Sequence, residues 1–316
     1  MPAITATACG KLILFGEHAV VYDSPAIAIP LTGLKVRTTI EPAIGQPQGK
    51  IHIKAAALGV DHDLVELQED HILVHTLNLL FSFLGLHQTP TCRIILTSDL
   101  PIAAGLGSSA AIAISLLRAM SAFLGHPLKP QELNTLAFHS EQGVHVRPSG
   151  IDNTVITYEK PIYYQRGEVI EFIQPIREFT FVVADSGVRK STRESTGRLA
   201  QDLDADPGMV QPHLDAIAEL VEQSKRSFQI GDIEALGKAI DANQEHLSAL
   251  RLSCPELDVL ILAARQAGAL GAKLTGGGMG GHMLALVTSE TEAAVTQALS
   301  AAGSLNVFTT RLYPVE

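Results

Sequence analysis

The chain has 316 residues, 46% hydrophobic and 18% charged, with a formal net charge of −10. That is enough apolar chain for one large or two medium cores, and it excludes a disordered protein. The acidic balance makes nucleic acid and anionic membranes poor partners. Apolar runs break well before the ~18 residues a membrane span needs. No basic leader precedes the first apolar run, and Cys9, Cys92 and Cys254 lack metal or disulfide spacing, so a reducing, cytoplasmic setting is expected.

In chain order, residues 4–15 read as a strand with Lys11 inside it. Residues 16–22 read as a turn opening into an extended piece. Residues 26–30 and 34–40 read as two strands, the second alternating Leu34, Val36, Thr38 and Ile40. Residues 51–55 predict another alternating strand, 70–84 a helix and 92–97 a strand. A glycine loop from Pro101 follows, and it runs into a helix that is apolar nearly all round from Ala110 to Phe123. Residues 130–141 predict a helix, with Pro130 and Glu132 in its first turn. Residues 142–153 form a loop of unusual composition, and 154–158 with 162–165 predict a hairpin. A boundary near 172–178 sets domains of 1–175 and 176–316.

The second half reads as α+β. It predicts a strand at 179–184, a polar turn at 185–190 and a capping box, Ser191 with Glu194, that opens a helix. Helices near 208–229, 232–250 and 256–268 follow, then a short strand at 272–274. Residues 276–281 hold five glycines in six positions. A strand at 282–287, a helix at 290–299 and a strand at 306–313 complete the chain.

The first glycine loop carries the sharpest chemistry. Gly105 and Gly107 are free to take positive φ, and Ser108 and Ser109 are good N-cap residues. Free N–H groups and a positive dipole end at one point make an anion site, with a nucleotide phosphate as the anion and a serine hydroxyl able to hold Mg²⁺. Plain helix capping is the simpler reading. A dinucleotide fold is the rival, since Gly105, Gly107 and Ala110 fit G-x-G-x-x-[GA]. The stretch Asp99 to Ala104 separates the strand from Gly105 and is too long for that fold's tight turn. The second loop fits the same pattern at Gly276, Gly278 and Gly281, but a strand follows it where a helix is required. Close backbone approach to a phosphate or to the first loop is the better account.

Lys11 in an apolar strand has a simple reading as an edge residue, and Asp152 as a turn former. Paired, they become a carboxylate kept ionised by a cation and able to accept a hydroxyl proton. Glu141 is a helix-end residue or a Mg²⁺ ligand. His71 and His75, without a third ligand, read as surface histidines.

Three segments in order resemble the GHMP kinases: residues 10–22 (Gly10-Lys11 … Gly16-Glu17-His18 … Tyr22), residues 101–111, and residues 273–281 from Lys273. Pro148 to Asn153 and Ser191-Thr192-Arg193 point to the branch whose acceptor is the 5-hydroxyl of mevalonate. The resemblance spans nearly the whole chain. It implies a two-domain α+β fold, with an N-terminal ribosomal S5 domain 2-like α/β domain and a ferredoxin-like C-terminal α+β domain. It implies ATP and Mg²⁺ as cofactors, mevalonate as substrate in isoprenoid biosynthesis, and a homodimer. It assigns Asp152 as base and Lys11 as its support. The ATP loop would be Pro101, Ala103, Ala104, Gly105, Leu106, Gly107, Ser108, Ser109 and Ala110, and the metal ligands Ser109 and Glu141. Glu17, His18, Thr192, Gly276 and Gly277 would lie at the substrate. A substrate carboxylate calls for a cation, with Arg189, Lys190 and then Arg147 as candidates. Asp23, Val146-Arg147 and Met279 depart from the family's pattern. Phosphomevalonate kinase, a mevalonate 3-kinase, a silent ligand-binding member and a nicotinamide oxidoreductase are the alternatives.

Overall fold

The structure is a computed structural model that describes residues 2–102, 104–143, 149–190 and 192–314. Contacts divide the chain into two units, residues 1–11 with 34–159 and residues 12–33 with 160–316. The sequence boundary at 175 therefore falls inside the second unit. Two long strands, β1 (Ile4–Phe15) and β2 (Ala26–Pro42), each contribute to both units.

β2 is one continuous strand where the sequence predicts two. Gly33, in its middle, makes no turn. A Cβ there would lie 2.6 Å from the Thr309 carbonyl oxygen, so the glycine permits a close backbone approach. Residues 19–22, read as extended, form a single 3₁₀ turn closed by Asp23 at φ 64°.

The rest of the first unit is β3 (Ile51–Ala55), β4 (Val60–Asp63), α1 (Ile72–Phe83), β5 (Cys92–Ser98), α2 (Ser108–Phe123), α3 (Pro130–Gln142) and α4 (Ile151–Tyr158). Its strands run β4-β3-β5-β2, with β3 and β5 parallel and the other neighbours antiparallel. α2 is buried almost all round, as its sequence predicts, and packs against α1, α3 and α4. α4 overturns the predicted strand at 154–158. Thr154, Val155, Ile156 and Thr157 favour strands by local propensity, but every one of them is buried in the helix, and packing outweighs a weak intrinsic preference.

The second unit holds β6 (Ile162–Tyr164), which pairs with the start of β2 and with β7 (Glu171–Phe172). The predicted hairpin partner of β6 is thus replaced by residues 26–28. Then come β8 (Phe179–Asp185), α5 (Thr192–Ala205), α6 (Pro207–Ile230), α7 (Ile233–Ala249), α8 (Pro255–Gln266), β9 (Gly271–Thr275), β10 (His282–Val287), α9 (Glu292–Ala301) and β11 (Val307–Leu312). The strands form an antiparallel sheet ordered β11-β8-β10-β9, the ferredoxin-like arrangement. Residues of β8, β9 and β10 share one core with α6, α7, α8 and α9, including Val182, Leu214, Leu247, Leu260, Leu274 and Leu299. Among the described residues no helix is long and apolar enough to cross a membrane.

Candidate active site

In the first unit, β1 delivers Lys11 into a nearly closed position, 8% exposed. Its Nζ lies 3.0 Å from Asp152 Oδ1 in the first turn of α4. The Lys11 N–H donates to the Leu106 carbonyl at 2.9 Å, so strand and glycine loop are fastened together. Gly107 N-caps α2 at φ 74°. A Cβ on it would meet Lys11 Cγ at 2.8 Å and Ile156 Cδ1 at 3.0 Å, with Asp152 Oδ2 at 3.5 Å. The absent side chain is what lets the Lys11–Asp152 pair lie against the loop. Gly105, at φ 78°, has nothing within 4 Å of where its Cβ would stand, so the loop is uncovered there.

The serines depart from their expected role. Gly107 is the cap, and Ser108 and Ser109 are the first two helical residues. Ser109 Oγ is buried with no hydrogen-bond partner among the described residues. Burying an unpaired hydroxyl costs about 1–3 kcal/mol, which a ligand at the helix N-terminus would offset. Leu106 and Ala110 point into the core, and Pro101 and Ala104 are half-buried. Ala103 lies outside the described residues.

Glu141 occupies the last turn of α3, 4% exposed. Burial pushes its carboxyl up to about 8, the negative charge of Asp152 pushes the same way, and Lys11 opposes them. Ser109, Glu141, Asp152 and Lys11 are thus all set on elements of one unit.

The second unit gathers the other sequence motifs. Glu17 and Lys273 form a fully buried ion pair. Asn243 Nδ2 donates to the second Glu17 oxygen at 3.2 Å, and Lys273 Nζ also donates to the Leu274 carbonyl at 2.7 Å. Burial holds the Lys273 ammonium below its usual range, while Glu17 pulls it back. Glu17 therefore corrects the expectation of a substrate contact, because both its oxygens are engaged by the protein. His18, at φ 62°, donates Nε2–H to the Gly277 carbonyl at 2.9 Å. Its Nδ1 is buried without a partner, and burial lowers the ring to about 4, so it is neutral. Thr275 Oγ1 donates to the Ile13 carbonyl at 2.7 Å.

The second glycine loop also differs from expectation at two positions. A Cβ on Gly278 would lie 2.3 Å from the Leu252 carbonyl oxygen, and one on Gly280 would lie 2.8 Å from that of Val188. These glycines admit neighbouring backbone, not a phosphate. Gly276, at φ 78°, opens the loop, and Gly277 serves through its carbonyl.

Arg189 and Lys190 are not free cations. Arg189 forms a two-bond fork with Asp185, both bonds at 2.6 Å, and Lys190 Nζ lies 2.8 Å from Glu194 Oε1. A substrate carboxylate at this turn would meet cations that each already carry a carboxylate partner, on side chains that stay exposed. Arg147 and the side chain of Thr192 lie outside the described residues. His71 Nδ1 accepts from the Leu73 N–H at the start of α1, and His75 Nε2–H donates to the His139 carbonyl at 3.2 Å, so both serve local structure. Sequence reasoning missed Lys273, although a lysine inside an apolar strand is the same signal that singled out Lys11.

A lysine-supported carboxylate beside a bare glycine loop and a helix N-terminus is the equipment of a phosphoryl-transfer enzyme. The GHMP kinases N terminal domain model matches residues 71–160, and the GHMP kinases C terminal model matches residues 217–305. The chain belongs to the GHMP kinase family. The mevalonate kinases of Thermococcus sibiricus and Pyrococcus horikoshii are each 33% identical to it, over 97% of this chain and 95% of theirs. The crystal structure of L. major mevalonate kinase in complex with R-mevalonate superposes with a TM-score of 0.84 at 27% identity, covering 98% of this chain and 96% of that one. Those relatives set the chain in the mevalonate kinase branch of the family.

Proposed function

We propose that this protein transfers the γ-phosphoryl group of ATP to the 5-hydroxyl of mevalonate, giving 5-phosphomevalonate and ADP for isoprenoid biosynthesis. The observation that carries the reading is the Lys11–Asp152 pair, at 3.0 Å, packed against Gly107 of the glycine loop. The acceptor is supported by the mevalonate kinases at 33% identity over nearly the full length of both chains.

Asp152 accepts the proton of the acceptor hydroxyl as its oxygen bonds to the γ-phosphorus, and the bond from that phosphorus to the β-phosphate oxygen breaks to release ADP. Lys11, 3.0 Å from Asp152 Oδ1, aims it. The bare N–H groups of the loop and the dipole of α2 hold phosphate oxygens. Ser109 Oγ and Glu141 would hold Mg²⁺. An unpartnered buried hydroxyl and a carboxylate are hard oxygen donors of the kind Mg²⁺ takes alongside substrate phosphates, and the ion would neutralise charge on those phosphates. A cytoplasmic homodimer completes the reading, and sedimentation of the purified protein checks its assembly state.

ADP release measured across mevalonate, phosphomevalonate, galactose and homoserine tests the acceptor. Turnover with mevalonate at least a hundredfold above the other three is the expected outcome. Preferential use of phosphomevalonate would replace this reading with the next enzyme class of the family.

A further inference from the structure

We infer that Asn134 is a positioning residue for Asp152, fixing the rotation of α4 so that the base faces Lys11. The inference rests on the reading of Asp152 as the base.

The Asp152 side chain is 28% exposed, and Lys11 is its ion-pair partner. That contact does not by itself fix the helix that carries it. α4 starts at Gly150, at φ 87°, where the residue itself has no side chain to cap it; Ser149 Oγ accepts from the Ile151 N–H at 3.3 Å, a single local bond within the same turn. The lock comes from α3. Asn153 and Thr154, the two residues after the base, turn inward and are 2% and 3% exposed. Asn153 Nδ2 donates to Asn134 Oδ1 at 2.6 Å and to the Asn134 carbonyl at 3.3 Å. Thr154 Oγ1 lies 3.3 Å from the same Oδ1 and 3.3 Å from Asn134 Nδ2.

One amide on α3 thus holds both residues that follow Asp152. Successive helical residues are about 100° apart. Fixing positions 153 and 154 inward therefore fixes the direction in which 152 points. The far end of α4 is held differently. Arg118 on α2 donates to the Thr157 carbonyl at 2.8 Å and to the Thr7 carbonyl of β1 at 2.7 Å. Arg118 fastens the last turn of α4 to the strand of Lys11, but it lies beyond the turn that carries the base. Asn134 is also on the helix whose last turn carries Glu141, so α3 bears both the anchor of the base and the carboxylate assigned to Mg²⁺.

The test is kinetic, with stability as its control. Misplacing a reacting group by about 1 Å costs on the order of 10²-fold. Asn134→Leu in the full-length protein is expected to lower kcat by about 10- to 100-fold. KM for mevalonate and for ATP should stay within about threefold, because the Asn134 side chain bonds to Asn153 and Thr154, which are not among the residues assigned to either ligand. Thr154→Val, which keeps its volume and loses one hydroxyl, is expected to lower kcat by about three- to tenfold. It serves if Asn134→Leu does not fold. Arg118→Met is the comparator: it should lower the melting temperature at least as much as Asn134→Leu while leaving kcat higher. A folded Asn134→Leu, or Thr154→Val, with wild-type kcat overturns the inference. So does a kcat loss that tracks melting temperature equally in the Asn134 and Arg118 variants, since that marks plain packing. Asp152→Asn is run in parallel. If it is inactive while the Asn134 and Thr154 variants are not, the inference alone fails. If Asp152→Asn is itself active, the reading of the base fails.

Discussion

At the scale of single residues, the predictions turn on groups held in place by close partners or by burial. Asp152 is held 3.0 Å from a cation, and removing its charge with Asp152→Asn should lower kcat by about 10²–10⁴. ATP binding, read by titration calorimetry, should persist. Lys11→Met should cost less, and the double variant should be little worse than Asp152→Asn, because groups that act as a unit are non-additive. Additive losses would show that Lys11 acts apart from Asp152. His18 makes a separate prediction. Its folded value of about 4 lies below the ordinary 6.5, so between those values the unfolded chain binds a proton that the folded chain does not. His18 therefore favours folding fully above pH 6.5, loses that advantage as pH falls toward 4, and has none left to lose below it. The total is roughly 3 kcal/mol. His18→Asn should flatten urea-unfolding stability across pH 4–6.5, and an unchanged slope would contradict the buried, neutral ring.

At the scale of elements, glycine loops do two kinds of work. Gly107 and Gly105 share a positive φ but differ in space. Gly105→Ala should cost about 1 kcal/mol of backbone strain and leave the Lys11–Asp152 pair in place. Gly107→Ala adds a Cβ 2.8 Å from Lys11 Cγ, so it should displace the pair and lower kcat by at least about tenfold. Steady-state rates of the two variants separate strain from displacement. The Glu17–Lys273 pair fastens the 3₁₀ segment after β1 to β9. Lys273→Met leaves a buried carboxylate without its cation and should destabilise by about 3–5 kcal/mol, whereas Glu17→Gln with Lys273→Met should recover much of the loss. Denaturant midpoints of the single and double variants decide this.

At the scale of the whole molecule, β1 and β2 each run through both units, so neither unit is a continuous stretch of chain. A cut at residue 175 would part residues 12–33 and 160–175 from the rest of the second unit, and it would not yield two folding bodies. Ligand binding is also read at this scale. Saturating Mg·ATP at ~100 times its dissociation constant should stabilise the folded chain by about 2.7 kcal/mol, visible as a higher melting temperature. In Ser109→Ala and in Glu141→Ala the gain that depends on Mg²⁺ should shrink, while the gain from metal-free ATP remains. An undiminished Mg²⁺ increment in both would remove them as its ligands.

Local pattern was sufficient for much of this. Alternation at 34–40, helical spacing at 70–84, the all-apolar run after Ala110 and the two glycine loops each express a single chain property, and each appears where the sequence puts it. Lys11 and Asp152 stood out because charged and turn-forming residues are unusual in their settings, and the resemblance of three ordered motifs joined them. Tertiary structure decided the rest, because those outcomes depend on residues far apart in sequence. α4 is a helix despite its β-branched residues because α2 and α3 bury them. β2 is one strand because Gly33 admits the backbone at Thr309. Glu17 is a structural ion-pair member because Lys273, 256 residues away, meets it in the core. Arg189 is paired because Asp185 ends β8 beside it. The sequence by itself determined which residue types were available for the chemistry. Packing alone determined how each was partnered: Asp152 meets Lys11 with its carboxylate partly exposed, whereas Glu17 and Lys273 close on each other in the core, where no water or substrate reaches them.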